Sequence, residues 1–405
     1  MHPSDTYTAY RDIFRNQRLP LAFIDLDKFD ANVAYVAELA RVAGKTIRLG
    51  SKSIRCVEMM RRIFAAGPEV YRGILTFTVE ETAWLAGQGF DDMIVAYPSV
   101  QPSDIALIVD MTRAGKQVWL MADNIEHLRI LSAAGEKANL KLHACLEVDM
   151  AYRPLNLSSV HLGLRRSPVR TPDQACDLVR AAKGFPGVVI DALMGYEGHI
   201  AGTNDDIPGA GFKNFYTSAI KKDSVRELTK RRDKIVEMLR AEGVEFKVIN
   251  GGGSGSIVST GKDPLVTEIT VGSGFFASGL FHHFKEVQFQ PSAFFAIQIV
   301  RIPAEGMVTC QGGGYIASGA VGEEKLPLPI YPAGLKYLSL EGAGEVQTPF
   351  LLPKDCPRLE LGDPLFLQHA KAGELCERFN DLWLVKGGKL AGQVNTYRGE
   401  GKAFL

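Results

Sequence analysis

Short apolar runs alternate with stretches of helical periodicity from residue 20 to about residue 275. Each run is bounded by polar residues or glycine, which is typical of strands that are buried on both faces of a sheet. The pattern predicts nine strands: Leu21–Leu26, Thr46–Gly50, Tyr71–Phe77, Asp92–Ala96, Val118–Ala122, Leu142–Asp149, Val188–Met194, Phe246–Asn250 and Val266–Val271.

Helices are predicted between many of these strands. From Asp30 to Val42 the apolar residues recur at helical spacing, at Val33, Val36, Ala37 and Ala40. Thr78–Glu81 resembles a capping box, and Thr171–Gln174 resembles an N-cap with proline at the first helical position. Strands separated by helices favour a parallel sheet covered by helices. Nine strands are one more than an eight-stranded barrel needs, and periodicity does not show which one lies outside.

The pattern changes near Pro291. Phe294–Ile302 begins a region that is rich in glycine, proline and strand-like runs and nearly free of helical periodicity. We therefore predict two domains, an α/β domain over residues 20–285 and a β-rich domain over residues 291–405. The N-terminal segment, residues 1–19, is expected to pack on the second domain.

Composition and charge narrow the functional class. The chain has 405 residues, of which 46% are hydrophobic and 23% charged, as in ordinary soluble globular proteins. Its 46 basic and 46 acidic residues give a formal net charge of zero, so neither nucleic acid nor an anionic membrane is expected as a partner. The six cysteines are dispersed without a CxxC pair, and no apolar run resembles a signal peptide or a membrane span. These features favour a reducing cytoplasm.

Lys52 is the first candidate for chemistry. It follows the predicted strand Thr46–Gly50, at the strand end where the catalytic groups of barrel enzymes lie. A lysine there forms a Schiff base with an aldehyde if burial or cationic neighbours lower its pKa, and Arg48 and Arg55 are the expected neighbours. The alternative interpretation is a surface lysine after a strand.

Two glycine-rich loops favour the catalytic interpretation of Lys52. Gly251–Ser256 follows one predicted strand directly, and Val271–Gly274 follows the next. Glycines let backbone N–H groups approach an anion closely, serine hydroxyls add donors, and barrel enzymes commonly bind phosphate in their last loops. The loop lacks the spacing of a Walker or dinucleotide motif. A flexible turn is the competing interpretation.

Further polar side chains follow other strands. Tyr196 and His199, in the segment Gly195–His199, close the strand Val188–Met194 and are candidates for proton transfer or for stacking on a planar cofactor. Arg165 and Arg166 follow the strand that ends at Asp149, where one arginine is suited to a carboxylate or phenolate and a solvated pair is the alternative. His369 and Cys376 are candidate metal ligands, although two residues do not make a site.

These motifs together resemble the alanine-racemase-type class (fold type III) of pyridoxal-phosphate enzymes. Within it, Arg48–Lys52, Gly195–His199, Gly251–Ser256 and Thr267–Ser273 are most similar to the corresponding segments of the D-threonine aldolase and D-serine dehydratase family. The resemblance implies a (β/α)8 TIM-type barrel followed by a C-terminal β-rich domain, with Leu21–Leu26 outside the barrel. It also implies a homodimer.

The resemblance further implies a pyridoxal 5'-phosphate-dependent lyase for a β-hydroxy-D-amino acid, a small-molecule substrate cleaved or dehydrated at Cα and Cβ. Lys52, Tyr196 and His199 are then the catalytic residues. Cofactor binding is implied for Lys52, Arg166, Tyr196, Gly252, Gly253, Ser254, Gly255, Gly272 and Ser273.

One departure from the family concerns the metal. The family carries a His-x-Cys or His-x-Asp pair for a divalent ion such as Mn²⁺, Zn²⁺ or Mg²⁺, whereas this chain reads His369-Ala370-Lys371. Three explanations stay open: Cys376 replaces the missing ligand, Lys371 supplies the positive charge, or no metal is bound. Two alternatives to the lyase also stay open, an amino-acid racemase with the same cofactor and a non-catalytic protein that binds pyridoxal phosphate.

Overall fold

Eight parallel strands close into a barrel in the computed structural model, which describes residues 3–154, 160–320 and 322–405. They follow β1 (Leu21–Asp25) along the chain and neighbour one another in sequence order. The barrel strands are β2 (Thr46–Gly50), β3 (Tyr71–Thr76), β4 (Met93–Val95), β5 (Val118–Ala122), β6 (Leu142–Glu147), β7 (Val188–Gly195), β8 (Val248–Gly251) and β9 (Glu268–Val271). The predicted barrel is confirmed, and β9 pairs with β2 to close it.

The ninth predicted strand belongs to the other sheet. β1 pairs antiparallel with β10 (Ala293–Ala304) and parallel with β16 (Asp381–Lys386). Its alternate side chains enter different cores, since Ala22 contacts the main core and Phe23 contacts a second, aromatic cluster. The range 20–285 that the sequence predicts for the barrel domain therefore includes one strand of the C-terminal sheet.

Helices connect the strands of the barrel, and one further helix precedes β1. Their bounds are α1 (Pro3–Phe14), α2 (Leu26–Ala43), α3 (Val57–Ala66), α4 (Val79–Gly87), α5 (Pro102–Arg113), α6 (Ile125–Ala138), α7 (Pro172–Ala182), α8 (Gly198–Ala201), α9 (Gly211–Ala241), α10 (Ile257–Gly261) and α11 (Ser273–Phe276). α7 begins with the predicted capping box of Thr171 and Gln174. At α4 the Thr78 hydroxyl caps the Glu81 N–H as expected, but the Glu81 carboxylate accepts from the Phe77 N–H instead of completing a capping box.

The C-terminal sheet has nine strands. Besides β1, β10 and β16 it contains β11 (Met307–Gln311), β12 (Leu328–Tyr331), β13 (Lys336–Tyr337), β14 (Gln347–Leu351), β15 (Pro364–Gln368) and β17 (Lys389–Asn395). All of its pairings except β1 with β16 are antiparallel. The predicted β-rich C-terminal domain is therefore confirmed.

The N-terminal helix α1 packs on this sheet. Tyr10 contacts Phe23 with ring centroids 5.0 Å apart, and Phe14 contacts the same ring at 4.7 Å. Phe366 of β15 completes the cluster. Because each buried aromatic removes a large apolar surface from water, this cluster fastens the start of the chain to the sheet.

Two further observations concern the chain as a whole. Within the described residues, no helix combines the length and the apolar character that crossing a membrane requires. The six cysteines are free thiols, and all except Cys356 are buried, as expected for residues that serve packing.

Candidate active site

A cavity of about 990 Å³ lies where the barrel strands end. Gly50, Thr76, Val95, Asn250 and Thr270, each at or near the carboxyl end of its strand, line it from the barrel side. The C-terminal domain contributes the opposite wall through Ser318, Lys325 and Lys371–Glu374. The fold therefore builds one site from both domains, at the barrel end where catalytic groups are expected.

Lys52 stands on a 3-10 turn, Ser51–Ser53, that directly follows β2. Its side chain is exposed to the cavity, and its Nζ lies 3.5 Å from the hydroxyl of Tyr97. The backbone of the turn is held from behind, because Arg55 Nε donates to the Lys52 carbonyl at 3.0 Å. Gly373 of the C-terminal domain packs so closely that a Cβ there would overlap the same carbonyl oxygen. The backbone of the turn is thus held in place, and the Lys52 amine reaches into the cavity.

The two arginines that sequence analysis places beside Lys52 have carboxylate partners. Arg48 is fully buried inside the barrel, where Glu268 accepts from its Nε at 2.5 Å and Asp92 accepts from its Nη2 at 2.7 Å. Arg55 pairs with Glu377. Both guanidinium charges that sequence analysis places near Lys52 are therefore paired with carboxylates.

An arginine and two tyrosines lie together on the cavity wall. The Arg166 guanidinium lies 5.2 Å from the ring centre of Tyr97 and 5.7 Å from that of Tyr196. Burial raises the pKa of Tyr196, and the charge of Arg166 opposes that rise. Sequence analysis missed Tyr97, although its position two residues after β4 is the same signal that identified Lys52.

The glycine-rich loops are joined to the lysine turn by hydrogen bonds. Gly274 N–H donates to Ser254 Oγ at 2.9 Å, and the hydroxyls of Ser53 and Ser273 lie 3.1 Å apart. Of the predicted cofactor ligands in these loops, the cavity wall includes Gly252, Gly253, Ser254, Gly272 and Ser273.

Not every loop amide faces the cavity. Gly252 N–H donates to Glu197 at 2.7 Å, and Gly253 N–H donates to Ser256 Oγ at 3.0 Å. Gly255 is not among the described residues that line the cavity, because it packs against Ala201 and Phe284 without space for a Cβ. Gly255 therefore allows close packing here, and its predicted contact with the cofactor stays a prediction.

His199 is turned away from the cavity and is not among the described residues that line it. It lies on the single turn α8, and its Nε2 is 2.5 Å from the hydroxyl of Ser224 on α9. Burial lowers the pKa of His199 to about 4, so its ring is neutral near pH 7. The catalytic role that the sequence predicts for His199 therefore stays a prediction, which its contact with Ser224 does not support.

The predicted metal ligands do not form a metal site. His369 Nδ1 lies 2.7 Å from the Lys371 carbonyl oxygen and 3.1 Å from the Lys371 nitrogen, and Nε2 is buried without a partner among the described residues. The Cys376 thiol, fully buried, donates to the carbonyl of Ile54 at 3.3 Å. Burial raises the pKa of this thiol well above its ordinary value, which disfavours the thiolate that metals bind. Over residues 3–154, 160–320 and 322–405, no three His, Cys, Asp or Glu side chains are grouped to hold a metal ion.

A buried carboxyl group lies behind the lysine turn. Glu81 accepts hydrogen bonds from Tyr397 Oη at 2.8 Å and from the Phe77 N–H at 2.7 Å. Burial nevertheless raises the pKa of Glu81 from 4.5 to about 7, against the effect of these bonds. The carboxyl is therefore more easily protonated in the folded chain than in the unfolded chain.

This raised pKa predicts a pH-dependent stability. Folding favours the protonated form of Glu81, so this group stabilises the folded chain fully below pH 4.5. As the pH rises from 4.5 to about 7 that contribution is lost, and the free energy of unfolding falls by about 3 kcal/mol. We expect Glu81→Gln to remove that part of the slope in urea unfolding measured between pH 4.5 and 8. Exposed Glu80→Gln, on the same helix, is the matched control and keeps the slope. An unchanged slope in Glu81→Gln would contradict the assignment.

Comparison with known proteins agrees with this geometry. The family model described as alanine racemase, N-terminal domain, matches residues 24–278, more than half of the chain. The chain belongs to this family. The matched range contains the whole barrel, the Lys52 turn and both glycine-rich loops.

Two curated proteins that are similar to this chain have names that state an activity. A 3-hydroxy-D-aspartate aldolase from Paracoccus denitrificans is 22% identical over 340 residues, 83% of this chain and 76% of that protein. A D-threonine aldolase from an Arthrobacter species is 24% identical over 297 residues, 73% of this chain and 71% of that protein. The crystal structure of D-threonine aldolase from Filomicrobium marinum has a TM-score of 0.76 at 19% identity and covers 94% and 96% of the two chains. That structural likeness shows a shared fold over both domains.

Proposed function

We propose that the protein is a pyridoxal-phosphate-dependent lyase that acts on β-hydroxy-D-amino acids. The observation that carries the proposal is the Lys52 amine, which faces a two-domain cavity beside two glycine- and serine-rich loops. The names of the two curated relatives support the substrate class.

The residues present fit the cofactor. Gly253 has no room for a Cβ, which would lie 2.9 Å from Ala201 Cβ and 3.2 Å from the Tyr196 ring, so the loop passes close to the cavity wall. Ser254 and Ser273 place hydroxyls on that wall where a phosphate needs donors. When bound, pyridoxal phosphate supplies an electron sink for a bond that breaks at Cα.

Each side chain then has a defined task. Lys52 binds the cofactor and afterwards moves a proton at the substrate's Cα, since its side chain lies in the cavity and its backbone is held by Arg55. Tyr97 accepts a hydrogen bond from that amine, and Arg166 holds positive charge between Tyr97 and Tyr196. The wall from the C-terminal domain meets the part of the substrate beyond Cα.

Two alternative functions have less support. A racemase needs a second proton-transfer group on the opposite face, and Tyr196 is the lining residue available for that task. A non-catalytic binding protein has no need of the polar wall that Ser318, Lys371 and Glu374 add to the cavity. A lyase has a use for both walls of the cavity, the barrel wall for the cofactor and the polar wall of the C-terminal domain for the substrate.

The experiment is product analysis of purified holoprotein incubated with D-threonine and with 3-hydroxy-D-aspartate. Glycine with an aldehyde, or a 2-oxo acid with ammonia, is the expected result and shows which bond breaks. Conversion of the substrate to its Cα epimer without cleavage would establish the racemase instead. The L-isomers serve as controls and are expected to stay intact.

Assembly and location are part of the same proposal. The family resemblance supports a homodimer, which size-exclusion chromatography with light scattering tests. The free thiols, five of them buried, support a reducing cytoplasm.

A further inference from the structure

Lys371 places an amine on the wall that the C-terminal domain contributes to the cavity. Its Nζ donates to the Ser318 hydroxyl at 3.0 Å and lies 3.9 Å from Glu374 Oε1. Glu374 in turn accepts from the Ser318 N–H at 2.9 Å. The three groups hold one another, so the ammonium has a fixed position instead of moving freely in solvent.

The surroundings of this amine disfavour a divalent cation. Lys325 and Lys371 both lie next to Gly319. Lys325 Cε is 3.4 Å and Lys371 Nζ is 3.7 Å from the point that a Cβ on Gly319 would occupy. Lys52 also interacts electrostatically with Lys371. Several ammonium groups around one small volume repel a further dication. Among the described residues His369 Nε2 is buried without a partner, but the Cys376 thiol donates to the carbonyl of Ile54, so His369 offers a single nitrogen and not a ligand set.

The position of Lys371 relative to Lys52 follows from the packing. Gly373 lies against the Lys52 carbonyl, and Lys371 precedes Gly373 by two residues on the same cavity edge. Lys52 and Lys371 therefore border the same cavity, Lys52 on the barrel side and Lys371 on the wall of the C-terminal domain. A substrate whose amino group reaches Lys52 can extend its Cβ oxygen across the cavity to Ser318 and Lys371.

We propose that the Lys371 ammonium, fixed by Ser318 and Glu374, is the cation that binds the oxygen on the substrate's Cβ, in place of a divalent metal ion. This inference rests on the proposed lyase function and adds to it a catalytic residue.

The charge has a specific task in aldol cleavage. The O–H bond at Cβ breaks, and its proton passes to the Ser318 hydroxyl while that hydroxyl gives its own proton to the Glu374 carboxylate, 2.5 Å away. The electron pair of the O–H bond forms the C=O bond of the departing aldehyde. The pair of the Cα–Cβ bond stays on Cα, which takes a proton from Lys52 to give glycine. Lys371 stabilises the negative charge that develops on the Cβ oxygen while the bond breaks.

The test compares variants of the holoenzyme with D-threonine as substrate. Chelated, metal-free wild type is expected to keep its activity, and added Mn²⁺ is expected to leave it unchanged. Lys371→Met is expected to lower kcat by about 10²- to 10³-fold while KM changes by less than about threefold. Lys371→Arg, which keeps the charge, is expected to lose about tenfold less than Lys371→Met. Lys389→Met, an exposed lysine on β17, is the matched control.

Metal binding gives a readout that does not depend on activity. Equilibrium dialysis against Mn²⁺, with metal quantified by mass spectrometry, is expected to find no stoichiometric metal in wild type. Lys371→Asp, which replaces the ammonium by a carboxylate two residues from His369, is expected to bind Mn²⁺ at least about tenfold more tightly. Cofactor absorbance and melting temperature serve to show that each variant remains folded and loaded.

Three results would overturn the inference. The first is stoichiometric Mn²⁺ in wild type, whether or not it is active. The second is activity lost on chelation and restored by Mn²⁺. The third is a Lys371→Met effect confined to the KM for 3-hydroxy-D-aspartate and absent for D-threonine, because the lysine would then bind a side-chain carboxylate. Inactivity of wild type on both substrates, with and without metal, would instead refute the proposed lyase function.

Discussion

Lys52→Ala is expected to abolish both covalent attachment of the cofactor and catalysis. Lys52 is the lysine whose amine lies beside Tyr97 and the glycine-rich loops, so its removal deletes the bond to the cofactor and the proton transfer at Cα. We expect the visible absorbance of the bound cofactor to change and activity to fall by about 10⁴-fold. Cofactor titration followed by spectroscopy, together with product assays, measures both effects.

The side chain of Lys52 is exposed to the cavity, so its loss is not expected to unfold the protein. Circular dichroism and thermal melting of Lys52→Ala should match wild type. Lys141→Ala, an exposed lysine before β6, is the control and should keep full activity. Borohydride reduction of wild type, followed by peptide mapping, should locate the cofactor on Lys52. Its attachment at Lys371 or another lysine would contradict the assignment.

The barrel could be predicted from sequence because its strands are buried on both faces. Val118–Ala122 is the clearest case, since each of its residues is buried and the apolar run stands out without any periodicity. β1 shows the same pattern for a different reason, as it lies between two cores. Burial alone therefore identified the strand but not the sheet to which it belongs.

The barrel side of the site was predictable in the same way, whereas the opposite wall was not. Lys52 and the glycine-rich loops directly follow strands, and strand ends of a parallel barrel meet at one face. Ser318 and Lys371 reach that face through long-range packing of the C-terminal domain, which leaves no local pattern. The direction of the His199 ring was not predictable for a related reason, because the short turn α8 directs it towards Ser224.

The interior of the barrel contains an ion pair on which stability depends. Arg48 is fully buried, and besides its bond at Nε it donates from Nη2 to Glu268 at 2.9 Å and from Nη1 to the Asp92 carbonyl at 2.6 Å. Asn250 Nδ2 donates to the same Glu268 carboxylate at 2.7 Å, and Asn250 lines the cavity. The pair therefore supports the floor of the site as well as the barrel.

Arg48→Met is expected to lower the free energy of unfolding by about 3–5 kcal/mol, because it leaves the Glu268 carboxylate buried without its cation. The double variant Arg48→Met/Glu268→Gln should recover at least about half of that loss, since glutamine carries no charge and can still accept from Asn250. Asp92→Asn is the control: the Asp92 side chain is 40% exposed, so we expect a loss below about 1 kcal/mol. Urea unfolding of wild type, Arg48→Met, Glu268→Gln, the double variant and Asp92→Asn measures these values. A double variant as unstable as the sum of the two single variants would show that the charges act independently and that loss of packing, not an unpaired buried charge, explains the effect of Arg48→Met.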